Sequence, residues 1–171
     1  MLPINWLGTL ILIIAISFFW TLFRGAPWVP TPFAKVKKML AMADVGPNDV
    51  VYDLGCGDGR LLIVAARRHG ARAVGIEIDP LRYLWCQLLI TLLGLRGRVQ
   101  IIFGDFFTQD LGEADVVTCY LLPSTNEKLE SKLIQELHPS TRVISNNFIF
   151  PGLQLVRQDS EAEIYMYHPL P

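Results

Sequence analysis

The chain of 171 residues is poor in cysteine and carries no charged side chain before Arg24. Its three cysteines, Cys56, Cys86 and Cys119, form neither a CxxC pair nor a tight cluster, which argues against a disulfide framework and a structural zinc site. No metal is expected. The formal net charge is −1, so the chain as a whole has no electrostatic drive toward nucleic acid. A hydrophobic fraction of 51% excludes general disorder.

The apolar residues are concentrated at the amino terminus. As a helix, the uncharged residues 1–23 would span about 34 Å, which exceeds the hydrocarbon core of a bilayer at about 30 Å. Trp6 and Trp20 lie near the ends of this segment, where interfacial aromatic residues are found. We therefore predict a single transmembrane anchor over residues 1–23. A buried core helix is the alternative interpretation.

Basic residues follow the apolar segment. Arg24, Lys35, Lys37 and Lys38 all lie after it, and the positive-inside rule then places the rest of the chain on the cytoplasmic side of the membrane. Residues 24–32 are predicted to be a proline-rich linker, and residues 33–171 are long enough to form one domain with its own core.

Strand-like and helix-like segments alternate through this domain. The predicted strands are Val50–Leu54, Arg72–Glu77, Val99–Phe103, Asp115–Cys119, Arg142–Ser145, Leu153–Arg157 and Glu163–Tyr167. The helices between them are predicted near Leu61–His69, Leu81–Leu95 and Thr125–Leu137. This alternation predicts the α/β class, with a Rossmann-like, doubly wound sheet and helices on both faces. The last two strands predict a C-terminal antiparallel hairpin.

A glycine-rich loop follows the first predicted strand. The run Asp53-Leu54-Gly55-Cys56-Gly57-Asp58-Gly59-Arg60 has GxGxG spacing, whereas the dinucleotide fingerprint is GxGxxG. Alternate glycines let the backbone turn tightly and approach a ligand. Asp58 near the helix start disfavours a diphosphate. The loop therefore favours a cationic or zwitterionic ligand such as S-adenosylmethionine over a nicotinamide nucleotide.

Acidic residues follow the next two strands. Glu77 ends the second strand, where a carboxylate can accept hydrogen bonds from ribose hydroxyls. Asp105 follows the third strand and could accept a hydrogen bond from an adenine amino group, with Phe106 beside the ring, although Asp105 alone could be a turn residue. Asp79 before Pro80 is interpreted as a helix N-cap. Together the loop and the acids predict a cofactor site at the carboxyl edge of the sheet.

This order of features resembles the class I, seven-stranded, S-adenosylmethionine-dependent methyltransferases over nearly all of residues 30–171. With the apolar segment, Val29-Pro30-Thr31-Pro32 and Tyr120-Leu121-Leu122-Pro123-Ser124 added, it is similar to the membrane-anchored protein-lysine methyltransferases of the ATP synthase c-subunit and adenine nucleotide translocase type. The resemblance implies S-adenosylmethionine as cofactor, bound by Asp53, Gly55, Cys56, Gly57, Gly59, Glu77, Ile78, Asp105 and Phe106. It also implies a substrate rim that includes Thr31, Pro32, Leu122 and Pro123.

The remaining rim candidates lie at the ends of strands four and five. Tyr120 is our candidate for orienting an amine, and the alternative is a ring that only packs the pocket. Asn146 and Asn147 could bond a substrate or simply turn the chain. The predicted function is N-methylation of lysine in a membrane-associated protein. Methylation of a lipid or small hydrophobic molecule, or a non-catalytic cofactor-binding scaffold at the membrane, are the alternatives.

The predicted helix Leu81–Leu95 is unusually apolar, with few strongly polar residues. At about 22 Å it is too short to span a bilayer. It is either buried between the sheet and a neighbouring helix, or it leaves an exposed patch that rests on the membrane or a partner.

Overall fold

The computed structural model describes residues 5, 6, 8, 9 and 29–170 of the chain. The transmembrane anchor predicted for residues 1–23 therefore lies outside the described residues, apart from those four positions, and so does most of the predicted linker. Within the described part, no helix combines the length and the apolar character that crossing a membrane requires.

A seven-stranded mixed sheet in the order β3-β2-β1-β4-β5-β7-β6 forms the centre of the domain. The strands are β1 Val50–Leu54, β2 Arg72–Glu77, β3 Val99–Phe103, β4 Val116–Cys119, β5 Arg142–Asn146, β6 Gln154–Asp159 and β7 Ile164–His168. Strands β1 to β5 pair in parallel, and β7 pairs antiparallel with both β5 and β6. The predicted doubly wound sheet and its C-terminal hairpin are confirmed, with shifts of one or two residues at most strand ends in the second half of the chain.

Four helices flank the sheet in the described part of the chain. They are α1 Phe33–Met42, α2 Arg60–Val64, α3 Pro80–Leu92 and α4 Pro123–Glu136. The predicted N-cap is confirmed, since the Asp79 side chain accepts a hydrogen bond from the Arg82 amide at 2.9 Å.

The helix predicted at Leu61–His69 is confirmed; α2 continues over Ala65–His69 as a π-helical turn that ends at Gly70, which has a left-handed backbone. Two predicted helix bounds differ from the structure. Helix α4 begins at Pro123 rather than at Thr125, because proline is compatible with the first helical position, where no amide hydrogen bond is needed. Helix α3 ends at Leu92, before the left-handed Gly94, and does not reach Leu95.

Two apolar clusters cover the two faces of the sheet. One cluster joins the sheet to α1, α2 and α3 through residues that include Leu40, Leu62 and Ile90. The other joins it to α4 through Leu129 and Leu133. The helices α1, α2 and α3 therefore form one layer, and α4 lies on the opposite face. This arrangement leaves the carboxyl edge of β1, β2 and β4 open between the layers.

Candidate active site

The glycine-rich loop between β1 and α2 has the backbone that its sequence predicts. Gly55, Gly57 and Gly59 all have positive φ, at 79°, 57° and 74°, a region that side-chain-bearing residues rarely adopt. At Gly59 a Cβ atom would also overlap the Cys86 Sγ of α3. Glycine is therefore required at this position both for the backbone conformation and for the contact between the loop and α3.

Glu77 holds the loop in place from the end of β2. Its Oε2 accepts a hydrogen bond from the Gly57 amide at 2.9 Å, and its Oε1 accepts one from the Asp79 amide at 2.8 Å. The Arg82 Nε lies 3.6 Å from the same Oε1, and this Nε has no hydrogen-bond partner among the described residues. The carboxylate is almost fully buried, yet each oxygen keeps a further lone pair for a ligand.

Asp53 is the second buried acid of the site. Burial raises its pKa to about 7, the hydroxyl of Thr118 opposes this shift, and the negative charges of Glu77 and Asp58 add to it. Thr118 Oγ1 donates to Asp53 Oδ1 at 2.9 Å. A cation bound nearby would favour the charged carboxylate, so Asp53 is suited to a positively charged ligand.

A cleft of about 950 Å³, including the part open to solvent, lies over the loop and the ends of β1, β2 and β4. Of the residues predicted from the sequence, the cleft is lined by Thr31, Asp53, Gly55, Cys56, Gly57, Glu77, Ile78, Phe106 and Tyr120. The structure thus brings together residues separated by up to about 90 positions.

Seven predicted residues do not line this cleft. They are Pro32, Gly59, Asp105, Leu122, Pro123, Asn146 and Asn147. Asp105 accepts a hydrogen bond from the Phe107 amide at 2.9 Å, as in a turn, and stands next to Phe106 at the end of β3. Asn146 is buried beneath Thr31, and its Nδ2 donates to Thr31 Oγ1 at 3.2 Å. Gly59 acts through the shape of the loop.

A segment formed by Val29, Pro30 and Thr31 lies along one side of the cleft. Arg60 fixes it, because Nη1 of Arg60 donates to the carbonyl oxygen of Thr31 at 2.8 Å, while Nε and Nη2 pair with Asp58. The guanidinium also lies 5.2 Å from the centre of the Phe33 ring. The role of Arg60 was not predicted from the sequence, because it depends on where α1 packs.

A polar chain on the rim connects α1 to Tyr120. The Lys35 ammonium donates to Oδ1 of Asn147, and Nδ2 of Asn147 donates to the Tyr120 hydroxyl oxygen at 3.2 Å. Asn147 has a left-handed backbone, with φ of 67°. The Tyr120 ring is stacked on Phe148 with a centroid distance of 6.2 Å. These two contacts give Tyr120 a fixed orientation at the cleft.

The ammonium of Lys35 is partly buried. Burial lowers the pKa of Lys35, and the negative charges of Glu163 and Asp159 oppose this effect.

Comparison with known proteins identifies the domain. The family described as ANTKMT methyltransferase domain matches residues 53–157, which include the glycine-rich loop, both buried acids and Tyr120. The chain belongs to this methyltransferase family. The methyltransferase is 47% identical over 127 residues to a protein-lysine N-methyltransferase of Saccharolobus islandicus, a match that covers 74% of this chain and 79% of that protein. The cofactor is S-adenosylmethionine.

Vertebrate relatives are longer. The methyltransferase is 31% identical over 126 residues to the lysine N-methyltransferase of the ATP synthase c-subunit from Xenopus laevis, covering 74% of this chain and 55% of that protein. It is 33% identical over 131 residues to the adenine nucleotide translocase lysine N-methyltransferase of Mus musculus, covering 76% of this chain and 56% of that protein. The chain thus spans about half the length of these relatives.

Among solved structures, the methyltransferase is similar to an RNA methyltransferase of Salinibacter ruber in complex with S-adenosyl-L-homocysteine. The TM-score is 0.76 at 46% identity, and the match covers 81% of this chain and 91% of that one.

The residues of the cleft fit S-adenosylmethionine. The ligand carries a sulfonium and an ammonium group, and the buried carboxyl of Asp53 lines the cleft. Glu77 lines it as well, and each of its oxygens keeps a lone pair that a ribose hydroxyl can use. Gly55 lines the cleft with a left-handed backbone, φ 79°, which a residue with a side chain would adopt only with strain. The loop, the two acids and the cleft are therefore the candidate cofactor site.

Proposed function

We propose that the chain is a membrane-anchored protein-lysine N-methyltransferase. The observation that carries the proposal is the 47% identity to a protein-lysine N-methyltransferase of Saccharolobus islandicus, over 79% of that protein. The match covers 74% of this chain. Relatives named for lysine in the ATP synthase c-subunit and in adenine nucleotide translocase support the same residue class.

The cofactor supplies a methyl group on a sulfonium, which passes to a nucleophile by in-line displacement. In this proposal Glu77 accepts hydrogen bonds from the ribose hydroxyls with the lone pairs that its backbone contacts leave free. Asp53, with Gly55, Cys56 and Gly57, stands beside the methionine moiety. Ile78, Asp105 and Phe106 form the adenine side.

The lysine amine must first lose a proton, since its reference pKa is about 10.4. Entry into the cleft would favour the neutral amine through desolvation. Tyr120 is suited to orient this amine, because Asn147 occupies one acceptor site of the hydroxyl oxygen and leaves the other for an amine hydrogen. We expect Thr31 and Pro32 on one side, and Leu122 and Pro123 on the other, to border the substrate.

Methylation of RNA is the second candidate, and the 46% identity to the Salinibacter ruber RNA methyltransferase favours it. The net charge of −1 gives the chain as a whole no electrostatic attraction to RNA. Methylation of a lipid and a non-catalytic scaffold are weaker candidates, because the relatives that share 46–47% identity are named as methyltransferases of lysine or of RNA.

The substrate class can be tested with the full chain in detergent. It is incubated with methyl-tritiated S-adenosylmethionine and a total membrane extract, and the label is then divided among protein, lipid and RNA fractions. We expect label in protein, and none when Glu77→Ala replaces the wild type. Label confined to RNA or lipid would refute the lysine proposal and leave the methyltransferase assignment intact.

The membrane anchor is part of the proposal and rests on residues 1–23, which contain no charge, and on the basic residues that follow them. A single pass would hold the catalytic domain on the cytoplasmic side, near substrates in the same membrane, and raise their effective concentration. Alkaline carbonate extraction tests it. The wild type should stay in the membrane pellet, and Ile13→Arg/Ile14→Arg should be released. Release of the wild type would remove the anchor from the proposal.

A further inference from the structure

Helix α3 presents a stripe of large apolar side chains to solvent. Leu81, Leu84, Trp85, Leu88 and Leu92, here called the apolar stripe, recur every three or four residues, so they lie on one face of the helix. Leu84 is 61% exposed, Trp85 53% and Leu92 72%, whereas Cys86 and Ile90 on the opposite face are buried against the sheet. Of the two interpretations that the sequence left open, the exposed patch is confirmed.

The layer that contains the apolar stripe has no acidic residue on its helices. The segments Phe33–Met42, Arg60–His69 and Pro80–Leu92 contain neither Asp nor Glu. On the opposite face of the sheet, α4 carries Glu127, Glu130 and Glu136. The small net charge of the chain therefore conceals a basic face and a mixed face.

Several basic residues of this layer are free to meet an external anion. Within the described part of the chain, no ion pair involves Lys37, Arg67, Arg68, Arg96 or Arg98. All five of these residues are exposed.

Two of the arginines contact α3 or its end beside the stripe, and a third lies at the end of α2. Arg67 Nη2 lies 3.4 Å from the carbonyl oxygen of Leu93, and Arg96 Nε donates to Thr91 Oγ1 at 2.8 Å. Arg98 Nη1 donates to the carbonyl oxygen of Gly70, at the end of α2. The apolar stripe is thus bordered at its carboxyl end by guanidinium groups.

We propose that the apolar stripe rests in the interface of an anionic lipid bilayer, with the bordering arginines on the lipid phosphates. Helices that lie in a membrane surface typically expose leucine and tryptophan on one face and carry arginine beside them. The inference rests on the proposed anchor, which would hold the domain at the bilayer. Arginine near an anionic leaflet adds electrostatic attraction that the acid-free layer does not oppose.

Two other occupants fit the same surface less well. A second copy docked on the same face would bring its own arginines against these, with no acid on either helix layer to compensate. RNA would satisfy the arginines but would leave Leu84, Leu88 and Leu92 without an apolar partner.

A spin label at position 88 tests the proposal in the full chain. Leu88→Cys is labelled, and Ser131→Cys on the exposed side of α4 is the matched control; the native cysteines are buried. Both proteins are reconstituted in nanodiscs that contain phosphatidylglycerol. We expect oxygen to relax the label at 88 more strongly than a water-soluble nickel chelate does, and the reverse at 131. Equal access of the chelate to both labels would overturn the inference.

The proposed anchor and the proposed membrane contact of the apolar stripe can be refuted independently. If the wild type resists carbonate extraction but the label at 88 stays accessible to the chelate, the anchor stands and the docking surface does not. If the wild type is extracted, the label is measured with phosphatidylglycerol vesicles, and its burial there would still support the surface. Protection of the label by an RNA oligonucleotide without lipid, or dipolar broadening between labels, would assign the surface to RNA or to a second copy instead.

Discussion

Replacing Asp53 with asparagine should stabilise the protein while weakening cofactor binding. The carboxylate is buried, and its pKa is raised from 3.8 to about 7. A raised pKa in the native state means that the unfolded chain binds fewer protons between these two values, so stability falls as the pH rises through that window. Asparagine has no charge to bury, and its Oδ1 can still accept the hydrogen bond of Thr118.

The magnitude follows from the shift. At about 1.36 kcal/mol per pKa unit, Asp53 destabilises the native state by at most about 4 kcal/mol near pH 8, where it is ionised, and by about 2 kcal/mol near pH 5, where folding must protonate it. The advantage of Asp53→Asn over wild type should therefore grow by about 2–3 kcal/mol between these pH values.

Chemical unfolding of the full chain in detergent at both pH values measures this difference, with Glu161→Gln as an exposed control. If the advantage of Asp53→Asn is independent of pH, or if it falls as the pH rises, the assignment of a buried, proton-binding Asp53 is wrong. Calorimetry tests the second part of the prediction, which is the weaker binding of the cofactor. Binding of S-adenosylmethionine to the wild type should weaken below pH 7, by at most about tenfold per pH unit, because the cation requires the ionised carboxylate. Binding to Asp53→Asn should be weaker at neutral pH and nearly independent of pH.

Three further substitutions probe the loop and the rim. Gly59→Ala should destabilise by about 2–4 kcal/mol in urea unfolding, and Cys86→Ala should relieve the overlap but not the left-handed backbone, recovering about half of the loss. Glu77→Ala should raise the Kd for S-adenosylmethionine and lower stability by about 1–3 kcal/mol, because two backbone amides lose their acceptor. Tyr120→Phe should reduce kcat about tenfold with little change in cofactor Kd, because only the orienting hydroxyl is lost.

A specific result would contradict each of these three predictions. Full additivity of Gly59→Ala and Cys86→Ala would mean that the loop and α3 are not in contact. An unchanged cofactor Kd in Glu77→Ala would place the ribose elsewhere. Wild-type kcat in Tyr120→Phe would leave the ring as packing, which is the alternative interpretation of this residue.

The sheet and the cofactor loop were predictable because their signals are local. Strand β1, the loop and Glu77 lie within 28 consecutive residues, and parallel strands bring their carboxyl ends to one edge. The N-cap at Asp79 was predictable for the same reason, since Asp-Pro before an apolar run specifies a helix start.

The contacts that build the rim were not predictable from local patterns. Arg60 reaches Thr31 across 29 positions, and Lys35 reaches Asn147 across 112. These contacts depend on the packing of α1 beside α2, which apolar periodicity does not specify. Asn146 illustrates the same limit: its position at a strand end suggested a substrate contact, but did not predict the hydrogen bond that its Nδ2 donates to Thr31.

Mass spectrometry of methylated membrane proteins shows whether the chain methylates lysine. The full chain and Glu77→Ala are each incubated with S-adenosylmethionine bearing a deuterated methyl group and with membrane proteins, and the digested peptides are sequenced. We expect deuterated methyl on lysine side chains with the wild type and none with the variant. Labelled protein without methyllysine, or the same label with Glu77→Ala, would contradict the proposed lysine methylation at this site.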